Sequence, residues 1–158
     1  MITRRKAGQA LVEMALVAPL IFLLLICGVA DFGFAFYRFI SLQQTANEAA
    51  AWAAEKKYRP GSSVTGTDIE QWLTNTASHT LPATWSMAEA QKINATVQTM
   101  ATSDNDAVII AVTLQYDSPL FTPFYQAFFE SIFGKKAIPM ATRVAYQVPK
   151  NTLRANGS

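Results

Sequence analysis

The residues best suited to chemistry in this chain are a glycine and a glutamate five positions later, Gly8 and Glu13. Glu13 precedes an uncharged apolar run, Met14 to Ala30. A carboxylate at the centre of a membrane-spanning helix costs about 2.5–3.5 kcal/mol, so such residues are usually paired and functional. Cleavage between Gly8 and Gln9 would create an α-amine able to neutralise Glu13 of a neighbouring copy, because buried charges are tolerated only as a pair. The pattern predicts a processed, assembling subunit; the alternative is that Glu13 stays hydrated at headgroup level.

The apolar run Met14 to Ala30 predicts a membrane-spanning helix. Its 17 residues cover about 26 Å as a helix, and aromatic residues up to Phe39 extend it to the roughly 30 Å of a hydrocarbon core. The run is longer than the apolar part of a secretory signal, and no small-residue cleavage site follows it. Residues 4–6 are all cationic and the next cation is Arg38. The positive-inside rule therefore predicts a cytoplasmic N-terminus and an external domain.

Apolar residues continue beyond the run at three- and four-residue steps, which predicts one helix from about Gln9 to Lys57. We expect it to end before Arg59 and Pro60, because the residue before proline disfavours the helical conformation. Pro19 should kink or locally melt the helix. The residues that recur at these steps are Phe32, Phe36, Phe39, Leu42, Ala46, Ala49 or Ala50, and Ala53.

Asp31 and Arg38 form a second candidate constellation. Asp31 ends the apolar run, and its simplest interpretation is an interfacial carboxylate. Seven residues along one helix place Asp31 and Arg38 on nearly the same face but too far apart for an ion pair. The alternative is therefore an inter-subunit pair between staggered helices. The lone cysteine, Cys27, lies inside the apolar run and is interpreted as a small hydrophobic residue.

Beyond the helix the sequence predicts a small α+β domain. Thr67 and Asp68 can cap a helix that runs to about Ala77. Three segments of alternating hydrophobicity, 93–101, 108–116 and 138–148, predict about three antiparallel strands. The first two segments should form a hairpin.

An aromatic segment, 119–133, separates the last two predicted strands. It is expected to form a short helix closed by Gly134. Its six large rings fit either a domain core or an exposed contact patch. The fold class is therefore α+β, with a long N-terminal transmembrane and stem helix, three strands and one or two short helices.

The spaced features of the N-terminal third resemble a known family. The order Gly8-Gln9-Ala10-Leu11-Val12-Glu13 resembles the signal that prepilin peptidases cleave in type IV pilins, where the glutamate is the fifth residue of the mature chain. Residues 4 to about 54 are similar to TadE-like proteins, which are pilin-like subunits of the tight adherence (Tad) pilus system. The similarity includes Gly28-Val29-Ala30-Asp31-Phe32-Gly33 and Ala46-Asn47-Glu48-Ala49-Ala50. The C-terminal third resembles the family more loosely.

The resemblance implies a minor pilin or pseudopilin that is processed after Gly8 and takes part in pilus biogenesis and adherence. The implied partners are a prepilin peptidase, the Tad inner-membrane platform, an assembly ATPase acting indirectly, other pilin-like subunits and membrane lipid. The implied location is the inner (cytoplasmic) membrane. The division is a leader (1–8), a transmembrane and stem helix (9–58), an extracytoplasmic domain (59–149) and a polar tail (150–158). The alternative is an unprocessed, signal-anchored protein with a periplasmic binding domain.

Composition and motifs argue against catalysis and nucleic-acid binding. Removal of the leader takes away three of the 13 basic residues and none of the 11 acidic ones, so the mature chain lacks the basic footprint of a nucleic-acid binder. The lone His79 has no second histidine or cysteine near it, and Asp104-Asn105-Asp106 lacks the spacing of a calcium loop. We expect no catalytic residue, metal, cofactor or small-molecule substrate. An anchored enzyme with a hidden active site is the remaining alternative.

Overall fold

The computed structural model describes residues 3–58, 63–75, 85–101 and 107–149. The predicted α+β class is confirmed: a long N-terminal helix precedes a small antiparallel sheet with short helices. The elements in chain order are α1 (Thr3–Tyr58), α2 (Gly66–Thr74), α3 (Met87–Ala90), β1 (Asn94–Ala101), β2 (Ala107–Pro119), α4 (Pro123–Phe133) and β3 (Ala137–Pro149).

Helix α1 has 56 residues, which corresponds to about 84 Å. It ends at Tyr58, close to the expected end at Lys57. It begins before the expected Gln9, at Thr3, and the Ala, Lys and Arg residues that precede Gly8 favour helix. The helical assignment is continuous across Pro19, so the chain does not melt there. The leader boundary stays a prediction, and the polar tail from residue 150 lies outside the described residues.

The three strands form one antiparallel sheet in the order β1-β2-β3. The predicted hairpin is confirmed, since Asn94 pairs with Gln115 and Ala101 pairs with Val108. Strand β3 pairs with β2 along its whole length, from Ala107 opposite Pro149 to Pro119 opposite Ala137. The predicted turn at 103–106 and His79 lie outside the described ranges.

The core lies between the outer half of α1 and one face of the sheet. Helix α1 contributes a stripe of small and medium side chains, and their size allows the strands to approach the helix closely. Phe32 and Phe36 are exposed, while Ala35 and Asp31 continue the buried stripe. The fully buried members of the stripe are Leu42, Ala46, Ala49, Ala50 and Ala53.

Helix α2 closes one end of this core. Its N-cap is Thr65 rather than the expected Thr67: the Thr65 hydroxyl accepts from the Asp68 backbone N–H, and the Asp68 carboxylate accepts from the Thr65 backbone N–H at 2.8 Å. A Cβ on Gly66 would lie 2.1 Å from the Ala95 carbonyl oxygen, so glycine allows α2 to contact β1. Helix α2 ends at Thr74, and the expected end at Ala77 lies outside the described residues.

Helix α4 confirms the predicted aromatic helix and its closing glycine. Gly134 has φ 68°, the left-handed conformation that favours glycine, and its N–H donates to the Glu130 carbonyl. No residue of α4 is buried. The interpretation of the aromatic segment as core was therefore wrong, because α1 and α2 already cover the inner face of the sheet. Helix α4 instead lies beside the middle of α1.

Candidate processing and assembly site

The predicted cleavage junction lies on an exposed part of α1. Gly8 and Gln9 are exposed, and a Cβ built on Gly8 meets no atom within 4 Å. The described part of the chain therefore does not require glycine at this position. Glycine in a helix interior costs about 0.5–1 kcal/mol relative to alanine, so it also marks a locally weak point of the helix.

Glu13 is exposed on the same face of α1 as Gln9. The Gln9 side-chain amide Nε2 donates to Glu13 Oε1 at 3.2 Å, which is a contact between residues four apart. Among the side chains that the structure describes, which in α1 begin at Gly8, no cationic group lies within ion-pair distance of Glu13. The carboxylate therefore has a neutral partner in its own chain and can accept a charged one.

The part of α1 around Glu13 is apolar and is not covered by other described parts of the chain. No residue of the most apolar 18-residue window in the segment Gly8–Lys56 is buried, and by length and composition this segment can span a membrane. The predicted transmembrane ends, Met14 and Ala30, are both exposed. Large apolar side chains are exposed along most of this region, including Leu11, Leu16, Phe22, Ile26 and Val29.

Asp31 is almost fully buried, with 2% of its surface exposed. Its carboxylate accepts from the backbone N–H of Phe121 at 2.9 Å and of Thr122 at 3.2 Å, and from the Thr122 hydroxyl. Thr122 is the N-cap of α4, but its own side chain makes no capping bond. Asp31 therefore caps α4 from another helix, where an anionic group also interacts favourably with the helix dipole. Asp31 thus has a role within the chain, and its interfacial position stays a prediction.

Arg38 is directed towards the short helix α3. Its Nη2 donates to Glu89 Oε1 at 2.7 Å, its Nη1 lies 3.4 Å from Ser118 Oγ, and its guanidinium lies 5.5 Å from the centre of the Phe121 ring. Hydrogen bonds from Ser86, first from its backbone N–H, and the charge of Arg38 lower the pKa of Glu89 against the opposing effect of burial. The pair therefore holds α3 against α1 as an ionised contact.

The structure thus gives Asp31 and Arg38 separate partners within one chain. An inter-subunit pair between them stays a prediction, and it would compete with these contacts. Sequence reasoning missed Glu89, although the spacing Ser86-x-x-Glu89 is the pattern of a helix capping box and could have revealed α3. It also missed the role of Tyr125, whose hydroxyl donates to the Leu24 carbonyl at 3.1 Å.

The described residues provide few features of a metal site or of a site for a polar substrate. Within the described ranges, no three His, Cys, Asp or Glu side chains are grouped so that they could hold a metal ion. An apolar groove lies between α1 and the start of α4, lined by Leu20, Leu23, Leu24, Cys27 and Phe124 among others. Its chemistry suits hydrocarbon rather than a polar substrate.

Comparison with known families gives one match. Residues 8–51 match the family model described as TadE-like protein. The matched segment includes the Gly8–Gln9 junction, Glu13, Asp31 and Arg38, and it confirms the resemblance seen in the sequence. The looser resemblance of the C-terminal third lies outside the matched residues. No significant match was found among curated proteins or among solved structures.

Proposed function

We propose that this chain, with its TadE-like segment at residues 8–51, is a minor pilin or pseudopilin of the Tad pilus system. A prepilin peptidase cleaves it between Gly8 and Gln9. Helix α1 first anchors the protein in the inner membrane, with the N-terminus in the cytoplasm and the sheet outside. The processed subunit then enters a pilus or its tip and takes part in adherence.

The observation that carries this proposal is the exposed Glu13 on a bare apolar helix. A membrane anchor alone gains nothing from a carboxylate at this position. An α-amine at Gln9 would supply the missing positive charge, and the Gln9–Glu13 hydrogen bond supports this pairing because it places both residues on one face. Pairing with the amine of an adjacent copy offsets the cost of burying both charges.

The mechanism is one of physical assembly. In the membrane, the exposed apolar side chains of α1 contact lipid. In a bundle of subunits, equivalent helices replace those lipid contacts, and the Glu13–amine pair fixes their axial register. The role is structural rather than enzymatic, and the partners that supply motion and support are the Tad platform and its ATPase.

Mass spectrometry of the protein from its native membrane tests the processing step. We expect a mature chain that begins at Gln9 when the peptidase is present and an intact leader when it is absent. Gly8→Leu should remain uncleaved but inserted, whereas Gly33→Leu is the matched control, since a Cβ on Gly33 also meets no atom within 4 Å. An intact leader on all of the functional protein would overturn the proposal and favour the signal-anchored alternative.

A further inference from the structure

Helix α4 presents an apolar face that no part of the described chain covers. Five large side chains on or beside it are each at least 50% exposed: Phe121, Phe124, Phe128, Ile132 and Phe133. The polar side chains Gln126 and Glu130 of the helix form a hydrogen bond and an ion pair with other residues of the chain. Gln126 Nε2 donates to the Leu120 carbonyl at 2.7 Å, and Glu130 lies 3.4 Å from Lys136 Nζ. The helix is therefore amphipathic, with an aromatic side that is largely exposed.

The position of α4 along α1 indicates what surrounds it. Tyr125 bonds to the Leu24 carbonyl, and its ring lies 5.8 Å from that of Phe32. Leu24 and Phe32 lie about 16 Å and about 28 Å beyond Glu13 along the helix axis. With Glu13 at one edge of a hydrocarbon core of about 30 Å, α4 lies at the depth of the leaflet on the side of the sheet.

Exposed large apolar side chains are concentrated on α1 and in the segment 121–133. Among the described residues, every exposed large hydrophobic side chain lies on α1 between Leu11 and Ile40 or in the segment 121–133, except Met100 and Tyr146. The outer face of the sheet is more polar and carries Thr96, Gln98, Arg143 and Gln147. The face of α4 therefore continues the lipid-facing surface of α1 rather than forming an isolated patch.

Several polar groups at the two ends of α4 have partners within the chain, which suits an environment poor in water. Asp31 accepts from the first N–H groups, the Gly134 N–H closes the last turn, and the Tyr125 hydroxyl has a carbonyl acceptor. The exposed Lys135 and Lys136 follow the helix and can reach headgroups while their apolar stems remain deeper.

We propose that α4 is a second membrane-contacting element, which lies in the leaflet beside the sheet with its aromatic face against lipid acyl chains. The groove between α1 and α4 takes one such chain. This inference rests on the membrane insertion of α1 in the proposed function, but not on cleavage or assembly. Amphipathic helices with aromatic and aliphatic faces bind membrane interfaces in this way.

Quenching by brominated acyl chains tests the location of α4. The full chain is placed in phosphatidylethanolamine and phosphatidylglycerol vesicles, with and without bromine on the acyl chains, and tryptophan emission is compared with that of the unsubstituted protein. Phe128→Trp is the test variant. Leu20→Trp reports insertion of α1, and Tyr146→Trp on β3 is the matched control outside the membrane.

We expect the added emission of Phe128→Trp to be quenched to an extent similar to Leu20→Trp, with no added quenching for Tyr146→Trp. Gly28→Leu in the Phe128→Trp chain should reduce this quenching, because a Cβ at position 28 would lie 2.5 Å from the Tyr125 hydroxyl and would break its hydrogen bond to Leu24, which joins α4 to α1.

Three other outcomes would overturn the inference. Quenching of Leu20→Trp without quenching of Phe128→Trp places α4 outside the lipid and leaves the membrane anchor intact. A blue-shifted, unquenched Phe128→Trp whose shift disappears on dilution with lipid shows that a second copy covers α4. Absence of quenching at Leu20→Trp removes the membrane anchor itself, and with it both proposals.

Discussion

At the scale of single residues, Glu13 and Asp31 show how two carboxylates in one apolar region differ in their surroundings. Asp31 is buried and accepts several hydrogen bonds from the start of α4. Glu13 is exposed and bonds to one neutral amide. The first carboxylate has a complete set of partners inside the chain, whereas the second is available to another subunit.

Replacement of Glu13 tests its role in assembly. Glu13→Leu should leave cleavage after Gly8 largely intact, because the scissile bond and its glycine are unchanged, but it should prevent incorporation into the pilus or its tip. The measurement is the fraction of mature protein in sheared pili against that in the membrane. Glu13→Asp keeps the charge and serves as the control. Normal incorporation of the leucine variant would exclude a register role.

Replacement of Asp31 tests its capping role. Asp31→Ala leaves the N–H groups of Phe121 and Thr122 without an acceptor, and we expect a loss of about 1–3 kcal/mol in unfolding free energy. Amide hydrogen exchange of α4 in detergent should show the loss locally. Asp117→Ala is the control, because its pair with Lys135 is exposed and should contribute less than about 1 kcal/mol. Equal effects of the two variants would contradict the capping role.

At the scale of elements, α2 depends on close contact with β1. Gly66→Ala places a Cβ against the Ala95 carbonyl oxygen, which is backbone and cannot rotate away. We expect a loss of about 1–3 kcal/mol in the unfolding free energy. Gly33→Ala, with open space around its Cβ, should be neutral or slightly stabilising. Equal thermal stability of Gly66→Ala and the unsubstituted protein would show that α2 can move away without cost.

The cap of α2 is also sensitive to acid. Hydrogen bonds from Lys56, first, and then from Thr65 lower the pKa of Asp68 from 3.8 to about 2. A lowered pKa in the folded state means that the ionised carboxylate stabilises α2 above pH 3.8, and that this stabilisation is lost as the pH falls towards about 2.

Amide exchange of α2 should therefore accelerate in that pH window beyond the intrinsic change. The stacked Trp52 and Trp72 rings, 5.7 Å apart, provide a fluorescence signal for the same event. Asp68→Asn has no carboxylate to protonate and should show a flat profile. An identical profile in both proteins would assign the acid response to another group.

At the scale of the whole molecule, the proposed topology places the sheet outside the cytoplasm. A Tyr146→Cys variant in a Cys27→Ala background should react with a membrane-impermeant maleimide added to cells with a permeabilised outer membrane, since the Tyr146 side chain is 41% exposed on β3. The Cys27→Ala chain alone is the control. Labelling only after the inner membrane is broken would reverse the topology.

The sequence predicted the helices and strands well where periodicity carried the signal, as in β1, β2, β3 and α4. It did not show which apolar residues of α1 face the core, because exposed and core-facing apolar residues look alike in a sequence. The sequence also did not predict contacts between residues that are far apart along the chain. Asp31 and Thr122 are 91 positions apart, and Arg38 and Glu89 are 51 apart. Only the folded chain shows that Asp31 on α1 binds the backbone at the start of α4.

Helix α1 is continuous from Thr3 to Tyr58, so a tilt at one end of the helix moves the other end. Its N-terminal half carries Glu13, the proposed assembly residue, and its C-terminal half is fixed to the sheet through Leu42 and the alanines that follow it. A tilt of 10° over a length of about 84 Å would swing the far end by about 15 Å. Any rotation of the helix as it leaves the bilayer would therefore turn the whole outer domain by the same angle.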